Sequence, residues 1–95
     1  MKPNIHKSKA IELIKNKNAM LIDVRGPVEF RNGTINDATN ISLRNISSLL
    51  TEDKRTPLIF FGESDDSVDI KQSIKYAENM KFKNIYSLGS IDNWK

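Results

Sequence analysis

The chain alternates short, unbroken apolar runs with stretches whose apolar residues recur at helical spacing. Ala19-Met20-Leu21-Ile22-Asp23-Val24 is one such run. Leu58-Ile59-Phe60-Phe61, following Pro57, is another. A strand that is apolar at successive positions buries both faces, as strands do in a parallel sheet covered by helices. Ile85-Tyr86-Ser87-Leu88 reads as a last strand and Thr39-Asn40-Ile41-Ser42-Leu43 as a short extended one. Pro3 to His6, around Ile5, predicts a first strand.

Helical patterns fill the intervals. Ala10, Ile11, Leu13 and Ile14 form the apolar side of a short helix, with Ser8 as its N-cap and Asn16-Lys17-Asn18 as its stop. Pro27 suits the first turn of a helix because it has no N–H to lose. Val28, Phe30 and Arg31 extend that helix to Asn32-Gly33, which closes it in left-handed geometry. Ile35 to Ala38 is a turn. Ile46, Leu49 and Leu50 predict another short helix, and Ile70, Ser73, Ile74 and Ala77 a helix of about three turns. Gly89 turns the chain, and Ile91 to Trp94 pack a final helical turn. Strands alternating with helices predict a single α/β domain over residues 1–95, with a mainly parallel five-stranded sheet covered on both faces.

In such a sheet, ligands bind in the crevice beyond the carboxyl ends of the strands. Two stretches reach that crevice. Asp23 and Arg25 end one strand, with Glu29 a turn later; the three read as a brace that positions the next helix, Arg25 pairing with Glu29. Gly62-Glu63-Ser64-Asp65-Asp66-Ser67 ends the other strand and feeds a helix N-terminus, where N–H groups and the helix dipole favour anions. Its own charges oppose one. Glu63, Asp65, Asp66 and Asp69 crowd into seven residues. Two unit charges about 4 Å apart interact by roughly 1 kcal/mol even in water, whereas an exposed helix N-terminus returns about 0.3–1 kcal/mol. The acids suit the helix instead, with Asp66 or Ser67 as N-cap and Asp69 in the first turn. A hard divalent cation held by Glu63, Asp65, Asp66 and Asp92 is an alternative, although the spacing is not that of an EF-hand loop.

Composition narrows the chemistry further. The formal charge is +3, but the lysines are scattered, with no basic run of five and no stacking-aromatic motif, which argues against nucleic-acid binding. The chain has no cysteine, which excludes disulfides, cysteine-ligated metals and thiolate nucleophiles. His6, the one histidine, lies in a polar terminal stretch and makes neither a triad nor a metal site. No metal or cofactor is expected. No charged-then-apolar leader and no run of 18 apolar residues occurs, so the expectation is a cytoplasmic protein that does not enter a membrane.

The stretch Leu21-Ile22-Asp23-Val24-Arg25, then Glu29-Phe30, then Gly33-Thr34-Ile35 through Ala38 to Asn40-Ile41, resembles the first signature of the rhodanese-like domain. The family's usual Gly-His-Ile-Pro-Gly-Ala run carries Thr34, Asn36 and Asp37 here in place of the His, Pro and Gly. Leu58 to Phe61 is similar to the family's central strand, and Tyr76-Ala77 to Met80 to the helix after it. Phe82 to Gly89 and Ile91 to Trp94 resemble its closing strand and final turn. The resemblance implies a three-layer α/β/α fold. It also implies sulfur chemistry: rhodaneses are sulfurtransferases whose cysteine, directly after the central strand, carries sulfur as a persulfide within a wrapping loop. That position falls on Gly62, and the loop after it holds no Arg or Lys. The implied function is therefore a catalytically inactive domain that binds or regulates an unknown protein partner through the vestigial loop Gly62 to Ser67. A sulfurtransferase-related protein working with a partner's cysteine, and a cation-binding domain, are the alternatives.

Overall fold

The computed structural model describes residues 3–95. Helix α1 spans Lys7–Lys17, strand β1 Met20–Asp23, helix α2 Pro27–Asn32 and strand β2 Thr39–Asn40. A 3₁₀ segment, Leu43–Thr51, leads to strand β3, Leu58–Gly62, then helix α3, Val68–Asn79, and strand β4, Ile85–Ser90. A short 3₁₀ turn, Ile91–Trp94, follows. The strands lie in the order β2-β1-β3-β4, and every pair is parallel.

The alternation of side chains along the strands builds two cores. Leu58, Phe60, Ile22 and Val24 face α3 and the long 3₁₀ segment, packing with Ile46, Leu49, Ile70, Ile74, Ala77 and Phe82. Ile59, Phe61 and Leu21 face the opposite side, with Ala10 and Leu13 of α1 and with Ile35 and Leu88. Every residue of β3 is buried. This is the three-layer arrangement with the central strand at its middle.

Several expectations need correction. The sheet has four strands among the described residues. The expected first strand around Ile5 does not form, although the segment lies along the β4 edge. The N–H groups of Asn4 and Ile5 both donate to the Ser87 carbonyl, and the Ser87 N–H donates to the Asn4 side chain, 2.8 Å, rather than to backbone. A side chain therefore takes the place of the ladder acceptor, and Pro3 has no N–H to extend it. Helix α1 starts at Lys7 with His6 at the N-cap position, not with Ser8 as cap; no side chain caps it. The extended segment at Thr39 to Leu43 is strand over only two residues. Gly33 closes α2 with φ 153° and ψ 130°, which is not the left-handed helical conformation.

Gly89 is not a turn either. It lies inside β4 at a bulge, where Phe60 pairs with Ser87 but Phe61 pairs with Gly89. Its φ is +77°, and a Cβ there would collide with Asp65 and Asn93. Glycine at this position combines a conformation other residues resist with room for the loop that follows β3.

Candidate functional site

The carboxyl ends of β1 and β3 are neighbours because the two strands pair in register, Asp23 opposite Phe61. Past them opens a cleft of about 370 Å³ lined by Val24, Arg25, Gly26, Glu29, Glu63, Ser67 and Asp69. Both stretches singled out in the sequence thus converge on one place, the crevice expected of an open α/β sheet.

Asp23 forms the floor. It is fully buried, and a buried carboxylate must have partners. The Arg25 N–H donates to its Oδ1 at 2.9 Å, Arg25 Nε donates to Oδ1 at 3.0 Å, and Arg25 Nη2 donates to Oδ2 at 2.9 Å. Thr34 Oγ1 adds a fourth donor, 2.8 Å from Oδ2. The guanidinium also donates to the Gly33 carbonyl, and its Nη1 lies 3.8 Å from Glu63 Oε2. The hydrogen-bonded Asp23 carboxylate raises the Arg25 pKa above its ordinary value, against the opposing effect of burial; Glu63 and Glu29 push in the same direction from farther away. Asn40 completes the brace, its Nδ2 donating to the carbonyls of Asp23 and Arg25.

Arg25 therefore spends its charge on Asp23 and Glu63. Glu29 makes no ion pair with it among the described residues. Its carboxylate folds back over Gly26 instead, where a Cβ would sit 2.6 Å from Oε1. What remains to face the cleft is a surplus of carboxylates: Glu29, Glu63 and Asp69.

The loop after β3 is pinned at both ends. The Asp65 carboxylate accepts from the Ser90 N–H and from Asn93 Nδ2, each at 2.8 Å. These contacts, the Ser90 N–H foremost, hold its pKa below the ordinary carboxylate range. Asn93 Nδ2 also donates to the Leu88 carbonyl, at 2.8 Å. At the other end Ser67 caps α3, its Oγ accepting from the Ile70 N–H at 3.3 Å, with Asp69 in the first turn. Asp65 is thus an anchor to the last turn of the chain. No group of three or more His, Asp or Glu side chains that could hold a metal ion occurs among the described residues, so the acids of the loop do not converge as the cation alternative requires.

Gly62 is the decisive residue. It is not a strained turn: it closes β3, pairs with Ser90 and is buried. By alternation it shares the face of Leu58 and Phe60. A Cβ built on it would lie 3.2 Å from Val24 Cγ2 and 3.2 and 3.3 Å from Ile70 Cγ1 and Cδ1. A side chain there fits only if these two aliphatic residues give way by a few tenths of an ångström. Nothing nearby replaces a thiol. Ser67 Oγ is engaged as a cap, and His6 begins α1, which packs on the other face of the sheet.

The Rhodanese-like domain family model matches residues 6–95. The chain belongs to the rhodanese-like family. Comparison with solved structures agrees on the fold. The human single-domain sulfurtransferase TSTD1 superposes with a TM-score of 0.77 at 21% identity, over 99% of this chain and 96% of that one. A rhodanese-like domain protein from Staphylococcus aureus gives 0.77 at 22% identity, over 100% and 92%. A protein from Saccharomyces cerevisiae gives 0.75 at 20% identity, over 95% and 88%. Comparison with curated protein sequences returns no match. This member of the family contains no cysteine.

Four contributors to the site escaped sequence reasoning: Asn40, the donor role of Thr34, the Asp65–Asn93 contact and the filling of the Gly62 space by Val24 and Ile70. Thr34 left a trace, since it stands where the family's histidine does. The other contacts join residues that are not neighbours in the chain and leave no local pattern. No helix of the described residues is long and apolar enough to cross a membrane.

Proposed function

We propose that this chain is a non-catalytic member of the family and works by binding a protein partner at the cleft. The observation that carries the reading is Gly62 at the cysteine position, boxed in by Val24 and Ile70, in a chain with no sulfur nucleophile elsewhere. Persulfide chemistry needs a sulfur atom that can be attacked and can leave, and methionine thioethers cannot serve. The cleft is also electrostatically wrong for a thiosulfate dianion, because its one cation is committed to Asp23 and Glu63.

The same features suit a basic partner. The Glu63 carboxylate is exposed at the mouth. Val28 and Val68, next in sequence to Glu29 and to Ser67 and Asp69, are also exposed. Carboxylates beside small aliphatic groups complement lysine and arginine side chains, whose apolar stems and charged heads need both. The test has two arms. Purified protein with thiosulfate and cyanide should give no thiocyanate above buffer; turnover overturns the non-catalytic half. Affinity capture with the wild type and with Glu29→Gln/Glu63→Gln/Asp69→Asn should then differ, the variant losing its basic partners. Identical capture by both proteins overturns the binding half.

A further inference from the structure

The opposite end of the sheet carries a second concave site, built from the other charge. A groove of about 440 Å³ runs between α1 and the start of the β3–β4 pair, lined by Lys9, Leu13, Lys17, Arg55, Pro57, Asn84 and Tyr86. Its volume falls within the range of small-molecule sites. Lys9, Leu13 and Lys17 are spaced i, i+4, i+8 on α1 and so form one stripe along the helix, about 12 Å long. Leu13 is buried and forms the apolar floor between the two ammonium groups. Pro57 and Tyr86 come from the strand side, where the chain enters β3 and β4. Three cations and no acid line the groove.

Ordinary helix electrostatics explains only part of this. Lys15 and Lys17 in the last turn of α1 complement the negative end of the dipole. Lys9 is in the first turn, where a cation is disfavoured, and no acid occupies that turn. Lys7 and Lys9 both stand in that turn, and of the two Lys9 lines the groove. The counter-charges lie outside the groove lining. Lys9 lies 3.7 Å from Glu12, with both side chains half exposed. Arg55 pairs with Asp53 two residues earlier through Nε and Nη2, at 3.1 and 2.8 Å, a two-point pair on an exposed loop that leaves Nη1 without a bond among the described residues. Lys17 has no ion pair among the described residues. Neither the Tyr86 hydroxyl nor the Asn84 side-chain amide makes a hydrogen bond among them.

We propose that this groove binds a small phosphorylated anion, with Lys17 and Arg55 holding phosphate oxygens and Lys9 a second negative group along the stripe. Arg presents a fork that matches phosphate geometry, and Lys supplies a compact charge. The Tyr86 hydroxyl and Asn84 amide add neutral donors, and the Leu13–Pro57 floor accepts an apolar portion. The groove is separate from the cleft at the carboxyl ends of the strands, and its occupation does not depend on any role of Gly62.

The test is an NMR titration of the isotope-labelled full chain with inorganic pyrophosphate, followed by calorimetry on variants. Amides of residues 9–17, Arg55, Asn84 and Tyr86 should shift together and saturate in the millimolar range or below. Lys17→Ala/Arg55→Ala should weaken binding by about tenfold or more, as expected for losing charge-assisted contacts. Lys71→Ala/Lys75→Ala, which removes the same charge from exposed positions on α3, should change it by less than about twofold. Adenosine diphosphate in place of pyrophosphate then separates a phosphate ester from inorganic phosphate. Tighter binding with added shifts at Leu13 supports an ester, and equal binding an inorganic anion. Shifts spread evenly over the lysines, no shifts at all, or equal weakening by the two double variants overturns the proposal.

Discussion

Restoring the family's nucleophile by Gly62→Cys asks whether this protein lacks only one atom. The structure predicts that it lacks space as well. A Cβ at Gly62 lies 3.2 Å from Val24 and 3.2 and 3.3 Å from Ile70, closer than relaxed carbon atoms approach, and the sulfur adds more volume. Overpacking a buried site costs about 1–3 kcal/mol. The backbone of Gly62 is not in the left-handed region, so the new side chain recovers about 0.4–1 kcal/mol by restricting the unfolded chain. The net expectation is a loss centred on about 1.3 kcal/mol, within about 0–2.6 kcal/mol, which for a domain of this size lowers Tm by about 5–10 °C.

The steric cause can be separated from any other by a double-mutant cycle. Ile70→Val removes the Cδ1 that crowds the site and alone should cost about 0.5–1.5 kcal/mol. Combined with Gly62→Cys, the total should fall short of the sum by about 0.5 kcal/mol or more, because one change makes room for the other. Urea unfolding followed by circular dichroism measures all four corners. The chemistry should stay silent. Burial and the neighbouring carboxylates of Glu63 and Asp69 raise the thiol pKa, so Gly62→Cys should give no thiocyanate above buffer. Additive stabilities would refute the steric reasoning. Turnover by the single variant would refute the electrostatic reasoning as well.

Other substitutions test the surrounding structure. Asp23→Asn leaves the nearly buried Arg25 guanidinium facing a neutral amide, and breaking such a pair costs about 3–5 kcal/mol; the urea midpoint should fall accordingly. Ser67→Ala removes the α3 cap and should cost about 1 kcal/mol by the same measurement. Ser73 is buried, and its hydroxyl is without a hydrogen-bond partner. Ser73→Ala should therefore be neutral or raise stability by about 1 kcal/mol in thermal melts. Asp65→Asn should lower Tm at neutral pH and speed amide exchange at Ser90. The Asp65 pKa is depressed in the folded state, so its contribution is complete above the ordinary carboxylate pKa and disappears as pH falls through the folded value. The Tm gap between wild type and Asp65→Asn should accordingly close on acidification below about pH 4; a gap that widened there would reverse the sign of the argument.

The fold was legible where one residue pattern admitted one structure. Leu58 to Phe61 is apolar at every position, and only a central strand buries both faces over so few residues. The pattern misled where a side chain or a different period intervened. Asn4 supplies the bond that would have made a fifth strand. In the 3₁₀ segment the buried residues are Ile46 and Leu49, three apart, while Leu50 is 61% exposed. A 3.6-residue period puts Leu50 in the core, and a three-residue period puts it in solvent.

The site divides along the same line. Glu63 and Asp69 could be placed at the crevice from sequence because they flank a loop that leaves a strand and starts a helix, whereas Asp65 could not, because its partners Ser90 and Asn93 lie at the other end of the chain. The meaning of Gly62 could not be, because a glycine at the end of a strand reads as a turn unless its neighbours in space are known. Val24 reaches it from β1 and Ile70 from α3. Their closing over that position makes the missing cysteine a property of the packing as well as of the sequence. A protein that had lost the thiol alone would keep a cavity in its place, and a cavity lined by aliphatic side chains destabilises the core that surrounds it. Here Val24 and Ile70 must shift by a few tenths of an ångström to admit a side chain, and what that shift costs is the quantity the double-mutant cycle measures.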